Sequence, residues 1–323
     1  MIVYNKEFDL NLSEHGIEVP ILDDRSRRCF TELKNVDPSI SEVDLKELEE
    51  INREDLLRVH TSEFVDALLG DEKEKKIIEC YELIDQNGNY YRYDPSRAKY
   101  PLSNLLDKFL LQTKGTYLSF RRAFETGFSF GLCGGMHHAM SDRSRGFCLI
   151  NDIVICARKF QTEVRAINFS VIDIDAHKGC GTAELTANDS SIETLSIHMK
   201  NGWPLSADCG EGPWRIPSTI DIGVELGEEN QYLTKLEEGL KELENLDMAI
   251  VVAGADPYSE DVLESARGIQ LSKEQMLARD LLVYRFLKER GIPQVWLMAG
   301  GYGPKTWEIY FQFLKLIHEE EHA

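Results

Sequence analysis

Ala166-Ile-Asn-Phe-Ser-Val-Ile-Asp-Ile-Asp-Ala-His177 organises the whole chain. Up to Ile172 it is a short run dominated by apolar, largely β-branched residues, and such a run predicts a strand buried on both faces, as in a parallel sheet. Outward from it, residues 194–197, 219–224, 248–253 and 294–298 repeat that texture. The segments between the later runs have helical character. Residues 230–246 interleave acidic and basic side chains, and 272–290 open with Ser272 and Gln275 at capping-box spacing. Gly291 and Pro293 then stop that helix. Strand, helix, strand alternation predicts an α/β fold with a central parallel sheet and helices on both faces. Ligands in such sheets bind beyond the carboxyl ends of the strands.

Towards the amino terminus, residues 24 to about 115 are polar and helical in rhythm. Glu42-Val-Asp-Leu-Lys-Glu-Leu-Glu-Glu-Ile51 places apolar residues three and four apart, which predicts peripheral helices. Residues 86–97, with Asn87-Gly88 and Asp94-Pro95, read as a long surface loop able to border a pocket. No internal repeat or linker divides the chain, so residues 1–323 are expected to form one domain.

With 42% hydrophobic and 28% charged residues the chain can build a packed core, which excludes intrinsic disorder. Lys plus Arg number 36 against 56 Asp plus Glu, and the net charge of −20 opposes direct nucleic-acid binding while suiting basic substrates. Most of that charge reads as a solubility feature. Cysteines at 29, 80, 133, 148, 156, 180 and 209 form no CxxC pair, the pattern of reduced thiols in a cytoplasmic protein. Nowhere do about 18 apolar residues run together, and the first residues lack the pattern of a secretion signal, so neither membrane insertion nor secretion is expected. Oligomeric state is not legible.

The chemistry sits at the ends of the apolar runs. Asp173, Asp175 and His177 alternate, so a continuing strand would point all three the same way. Two carboxylates at a core strand end call for a cation, because desolvating an unpaired carboxylate costs about several kcal/mol. The run 248–253 leads into Gly254-Ala-Asp256, at the same predicted edge. Asp175, His177 and Asp256 then make a set of one imidazole and two carboxylates, suited to a catalytic zinc, iron(II) or manganese ion with an open position. Gly134-Gly-Met-His137-His138 supplies adjacent imidazoles that reach one pocket only from an irregular loop. Ala299-Gly-Gly-Tyr302-Gly303 offers a phenol able to donate to an oxyanion.

These residues resemble the zinc-dependent histone deacetylase superfamily, with its arginase/deacetylase fold. The resemblance runs through Gly134 to Ala139, Gly146-Phe-Cys148 with Asn151-Asp152, Asp173 to His177, Gly254-Ala-Asp256 and Gly300-Gly-Tyr302, in the family's order. It extends weakly to Val59-His-Thr-Ser-Glu-Phe64. Gln112-Thr-Lys-Gly-Thr116 and Asp142-Arg-Ser-Arg-Gly-Phe-Cys148 look most like the class IV branch and its bacterial relatives. The resemblance implies that Asp175, His177 and Asp256 hold Zn2+ (or Fe2+), that His137 and His138 flank the attacking water, and that Tyr302 polarises the carbonyl. It pairs Asp173 with His137, and it assigns Asp173, Asp175, His177, Ser196 and Ile197 to a structural K+ or Na+ site. Gly146, Phe147 and Trp203 would line the channel for an acylated lysine or polyamine.

One departure matters. Most members of the superfamily carry an aspartate three residues after the ligand histidine, orienting the second histidine of the pair, whereas here the chain reads His177-Lys-Gly-Cys180. A neutral Cys180 leaves His138 less stabilised as imidazolium. Two competing readings follow. A binuclear manganese ureohydrolase would need more carboxylates than Gly179 and the single Asp256 supply. A catalytically dead acyl-lysine or polyamine binder would explain Cys180 but not the survival of ligands, histidines and Tyr302 together. The expected function is an amidohydrolase that removes an acetyl or other acyl group from a lysine-like amine; an acetylpolyamine or other small amide is the alternative substrate.

Overall fold

A computed structural model describes residues 2–244 and 246–322. Seven strands, β1 (Ile2–Val3), β2 (Phe128–Gly131), β3 (Phe169–Asp173), β4 (Ile192–Met199), β5 (Ile220–Val224), β6 (Met248–Val252) and β7 (Gln294–Leu297), form one sheet in the order β1-β2-β7-β6-β3-β4-β5. Every pairing is parallel. The α-helices are α1 (Arg25–Val36), α2 (Arg53–Leu57), α3 (Ser62–Leu69), α4 (Lys73–Tyr81), α5 (Leu105–Thr126), α6 (Asp152–Glu163), α7 (Cys180–Thr186), α8 (Tyr232–Glu242), α9 (Lys273–Lys288) and α10 (Thr306–His322).

The apolar runs have a simple cause. Successive strand residues feed opposite cores, so both parities of the central strands are largely apolar, whereas β5, at the end of the strand order, is only partly buried apart from Val224. Phe169, Val171, Ile250, Val252, Val295 and Leu297 face a core shared with α3 to α6, whereas Ile172, Ala249, Val251 and Trp296 face one shared with α1, α8, α9 and α10. Trp296 is completely buried. The helix at 272–290 is capped as its sequence predicts, with Ser272 and Gln275 exchanging hydrogen bonds, and Gly291 follows it at φ +67°.

Three expectations need correction. Residues 42–51 form no helix beyond the single 3₁₀ turn Leu45–Glu47, because Asp44 and Glu47 close a capping box around that turn and Leu48 already returns to extended backbone. β1 escaped the sequence reading because it is two residues long, and β2, Phe128-Ser-Phe-Gly131, because it has no β-branched residue and carries Ser129 and Gly131 within four positions. The amino-terminal half is also not merely peripheral: α5 buries Phe109, Tyr117 and Phe120 against the sheet.

The order of strands locates the site. β3 connects onward to β4 on one side, while β6 connects to β7 on the other. β3 and β6 are neighbours, so their carboxyl-end loops leave in opposite directions and open a crevice, the usual ligand position in a sheet of this kind.

Candidate active site

At the end of β3 the chain turns out of the strand on its own carboxylates. The amide of Asp175 donates to Asp173 Oδ1 (3.1 Å), and that of His177 donates to Asp175 Oδ1 (2.9 Å). Asp256, arriving across the crevice from β6, accepts from the Ala176 amide at 2.9 Å. Asp175, His177 and Asp256 are all buried, and one ligand atom from each lies within 4.8 Å of the others. Among the described residues no other such group occurs. His177 Nδ1 is 2.8 Å from Asp256 Oδ2 and 3.3 Å from Asp175 Oδ1. Burial works against charge on that imidazole, but the two carboxylates overcome it and raise its pKa to about 10. Two buried carboxylates thus draw in the nearest cation available, and the mixed nitrogen and oxygen donors fit a divalent ion such as zinc.

Space around the cluster is fully used. A Cβ on Gly300 would stand 2.4 Å from Asp175 Oδ2, and the Gly300 amide instead donates to that oxygen at 3.1 Å.

His137 and His138 lie on an irregular loop after β2. Asp152, at the start of α6, accepts from the amides of Gly135 (3.0 Å) and Met136 (2.7 Å) and from the Thr116 hydroxyl (2.6 Å), fixing the loop from behind. The two imidazole centroids are 3.8 Å apart, yet their environments differ. His137 Nδ1 is 2.6 Å from Asp173 Oδ2. Burial depresses its charged form, and Asp173 more than restores it, giving a pKa raised to about 9. His138 Nδ1 faces the Cys180 sulfur at 3.5 Å. With no carboxylate partner, burial first and then the neighbouring imidazoles hold its pKa well below the ordinary value. Burial pushes the Cys180 thiol up to about 12, so this is a neutral partner, which weighs against a redox-reactive thiolate.

Tyr302 follows β7. Its loop is held by Arg25 of α1, which donates to Gly301 O (2.8 Å) and Ala299 O (2.7 Å), and by the Tyr310 hydroxyl, which donates to Gly300 O. Asp261 Oδ2 accepts from the Tyr302 amide at 2.6 Å. Burial, with the charges of Asp256 and Asp175, raises the phenol's pKa well above its ordinary value, so the hydroxyl keeps its proton.

A cavity of about 120 Å³ leads from solvent to these groups, with Gly146, Phe147, Trp203 and Tyr302 in its wall. Gly146 sits at φ +54°, and a Cβ there would meet Trp203 at 2.4 Å and His138 at 2.6 Å. The Trp203 ring packs edge-on against His138 at 4.7 Å. The loop at 86–97 does border this cavity, through Arg92. A second space of about 90 Å³ shares His138, Gly146, Phe147 and Tyr302 with it and is also lined by His137, Leu10, Ile21, Met136 and Met298. On β4, Ser196 is the register partner of Asp173, and its buried hydroxyl has no hydrogen-bond partner. Ile197 follows it, buried in the sheet.

The family profile described as Histone deacetylase domain matches residues 20–312. The chain belongs to the histone deacetylase family. As a member it is a hydrolase of the deacetylase kind. It is 28% identical over 309 residues to Histone deacetylase 2 of Arabidopsis thaliana, an alignment covering 93% of this chain and 74% of that one. It is 24% identical over 321 residues to a probable deacetylase of Methanothermobacter thermautotrophicus, covering 95% and 86%. A crystal structure of an HDAC homolog complexed with SAHA superposes with a TM-score of 0.65 at 23% identity, over 90% of this chain and 75% of that chain. That likeness is one of fold. No helix among the described residues is long and apolar enough to cross a membrane.

Several residues that shape this deacetylase-family site were missed in the sequence. Arg279 of α9 is fully buried and donates to Ile174 O (2.9 Å) and Gly254 O (2.8 Å), tying both ligand loops to one guanidinium that is paired with Asp280. Arg25 and Tyr310 act in the same way on carbonyls of the Tyr302 loop, and Asp261 accepts from its Tyr302 amide. Ser265 touches His177 Nε2 at 3.3 Å. A charged residue at a buried face of an amphipathic helix, as at Arg279, is the one cue that could have been used.

Proposed function

We propose that the protein is a zinc-dependent deacylase that frees the amine of an acylated lysine, or of a lysine-like amine, with residues 1–323 as one catalytic domain. The observation that carries this is the convergence at one sheet edge of the buried Asp175, His177 and Asp256 cluster with the paired imidazoles and Tyr302, where His138 and Tyr302 line both of two adjoining spaces, one of which Asp175 also lines and the other His177. Zn2+ is the ion we assign to the three ligands, and Fe2+ suits the same donors. Asp173, Asp175, His177, Ser196 and Ile197 would hold K+ or Na+, a role supported by the unsatisfied Ser196 hydroxyl beside Asp173. The seven free cysteines fit the cytoplasm, and the net charge of −20 fits a cationic amine product better than a nucleic acid.

The divalent ion supplies Lewis acidity to the scissile carbonyl and eases deprotonation of the attacking water. His138, neutral at neutral pH, accepts that proton at the nitrogen not facing Cys180. His137, kept protonated by Asp173, delivers a proton to the departing amine. Two neighbouring imidazoles thereby divide base and acid work, because their surroundings push their pKa values apart. The Tyr302 hydroxyl donates to the developing oxyanion. Phe147 and Trp203 enclose the alkyl chain and exclude water from it.

A second metal, as in a ureohydrolase, finds no second donor cluster among the described residues: position 179 is a glycine, and a Cβ there would already lie 2.2 Å from Asp173 Oδ2. Turnover of an acetyl-lysine peptide, abolished by a chelator and restored by zinc, tests the proposal. A protein that retains its metal and binds the peptide without cleaving it would instead be a binder.

A further inference from the structure

The channel mouth carries a fixed cation. Arg92 is anchored by its backbone, whose carbonyl accepts from the Glu18 amide at 2.8 Å, between bridges that pair Ile84 with Tyr90 and Ile17 with Tyr93. Its guanidinium lies 5.5 Å from the centroid of the Phe147 ring and 4.9 Å from that of Tyr91, and it is 2.8 Å from Glu82 Oε2. Phe147 is itself backed by Tyr81, stacked at 5.5 Å. Aromatic faces on two sides hold the cation in place over the channel wall. Arg92 and Glu82 are the only Arg, Lys, Asp or Glu side chains lining this mouth. Arg145, which does not line the mouth, lies against the rings of Trp203 (5.1 Å) and Trp214 (4.2 Å).

We propose that Arg92 is a specificity-determining residue: it selects acyl-lysines that carry a carboxylate next to the modified residue, and it disfavours substrates with further ammonium groups, acetylated polyamines included. This rests on the deacylase reading of the same site. A guanidinium presents five donors in a planar fork, and Glu82 engages one edge of it, leaving others for an incoming carboxylate. Glu82 is itself half exposed, and a pair of that kind exchanges partners at little cost. The chain's overall negative charge draws in cations from a distance, whereas Arg92 acts within about 10 Å at 0.1 M salt and so sorts substrates only at contact.

The test compares three acetyl-lysine peptides, with Glu, Gln or Lys beside the acetyl-lysine, and a monoacetylated polyamine. The zinc-loaded wild type, Arg92→Gln, Arg92→Glu and Glu82→Gln are assayed at low and high salt. The wild type should prefer the Glu peptide over the Lys peptide by about three- to fivefold in kcat/KM, the ratio a partly exposed ion pair supports. High salt and Arg92→Gln should flatten that order, Arg92→Glu should invert it, and Glu82→Gln should enlarge it. An order independent of residue 92 overturns the proposal. If the wild type cleaves none of the substrates, the deacylase reading fails instead. Peptide affinities by fluorescence anisotropy then decide this proposal alone: a Glu-over-Lys ratio that depends on Arg92 supports it, and a flat one overturns it.

Discussion

Replacing Cys180 by Asp would give His138 the charged partner it lacks. The thiol lies 3.5 Å from His138 Nδ1, so a carboxylate in its place would sit at hydrogen-bonding distance after a small rotation. Across that separation, at an effective dielectric of about 20, the attraction between imidazolium and carboxylate is about 5 kcal/mol. Desolvating the new carboxylate takes back part of this, which leaves a rise of about 1–3 pKa units. The sign follows from the role: a base works when unprotonated, so raising its pKa moves the acidic limb of kcat/KM to higher pH. The wild-type limb should fall below the ordinary histidine value, because burial holds His138 low. Cys180→Asn supplies an acceptor without charge and should leave the limb in place. His137 should be insulated, since Asp173 already holds it at 2.6 Å. The pH profiles are read on variants whose zinc content and melting temperature match the wild type. A limb that stays fixed in Cys180→Asp under those conditions would remove His138 as the base and move that role to His137.

Four further outcomes are expected. Tyr302→Phe should lower kcat by about 10²- to 10³-fold with zinc content unchanged, since it deletes an oxyanion donor and no ligand; an unaltered kcat would mean the phenol does not face the reacting carbonyl. Asp256→Asn should purify with far less than about one divalent ion per chain and show no chelator-sensitive turnover, and full metal with full activity would sink the ligand assignment. Ser196→Ala should abolish the rise in melting temperature that KCl produces over an equal concentration of choline chloride, whereas an undiminished rise would place the monovalent ion elsewhere. Arg279→Met should cost about 3–5 kcal/mol in urea unfolding, because Asp280 would be left buried without its partner.

The sequence reading succeeded where one residue's chemistry is visible in its neighbours. Buried parallel strands are largely apolar at both parities, so β3, β6, β7 and the apolar part of β4 announced themselves, and a carboxylate placed straight after such a run has few structural explanations. β1 is too short to show a pattern, β2 lacks β-branched residues, and residues 42–51 show periodicity without being helical, since three- and four-residue spacing also arises wherever charged residues separate single apolar ones. The pairing of His137 with Asp173 and the neighbour relation of β3 and β6 join positions far apart in the chain, and the family resemblance carried the first while nothing local carried the second.

The residues that escaped notice share a physical trait. Arg279, Arg25 and Tyr310 hold backbone carbonyl groups of the loops after β3, β6 and β7, and a carbonyl has no identity in a sequence. Those carbonyls point away from regular structure because the loops must leave the sheet to expose Asp175, Asp256 and Tyr302. A buried carbonyl without a donor would cost about 1–3 kcal/mol. One nitrogen of the Arg279 guanidinium, Nη1, answers two such groups, on the loops carrying Asp175 and Asp256, so a single buried cation ties the two proposed ligand loops together. Disturbance at α9 should therefore reach the ligand set without touching it, and the Arg279→Met variant should lose zinc affinity along with stability.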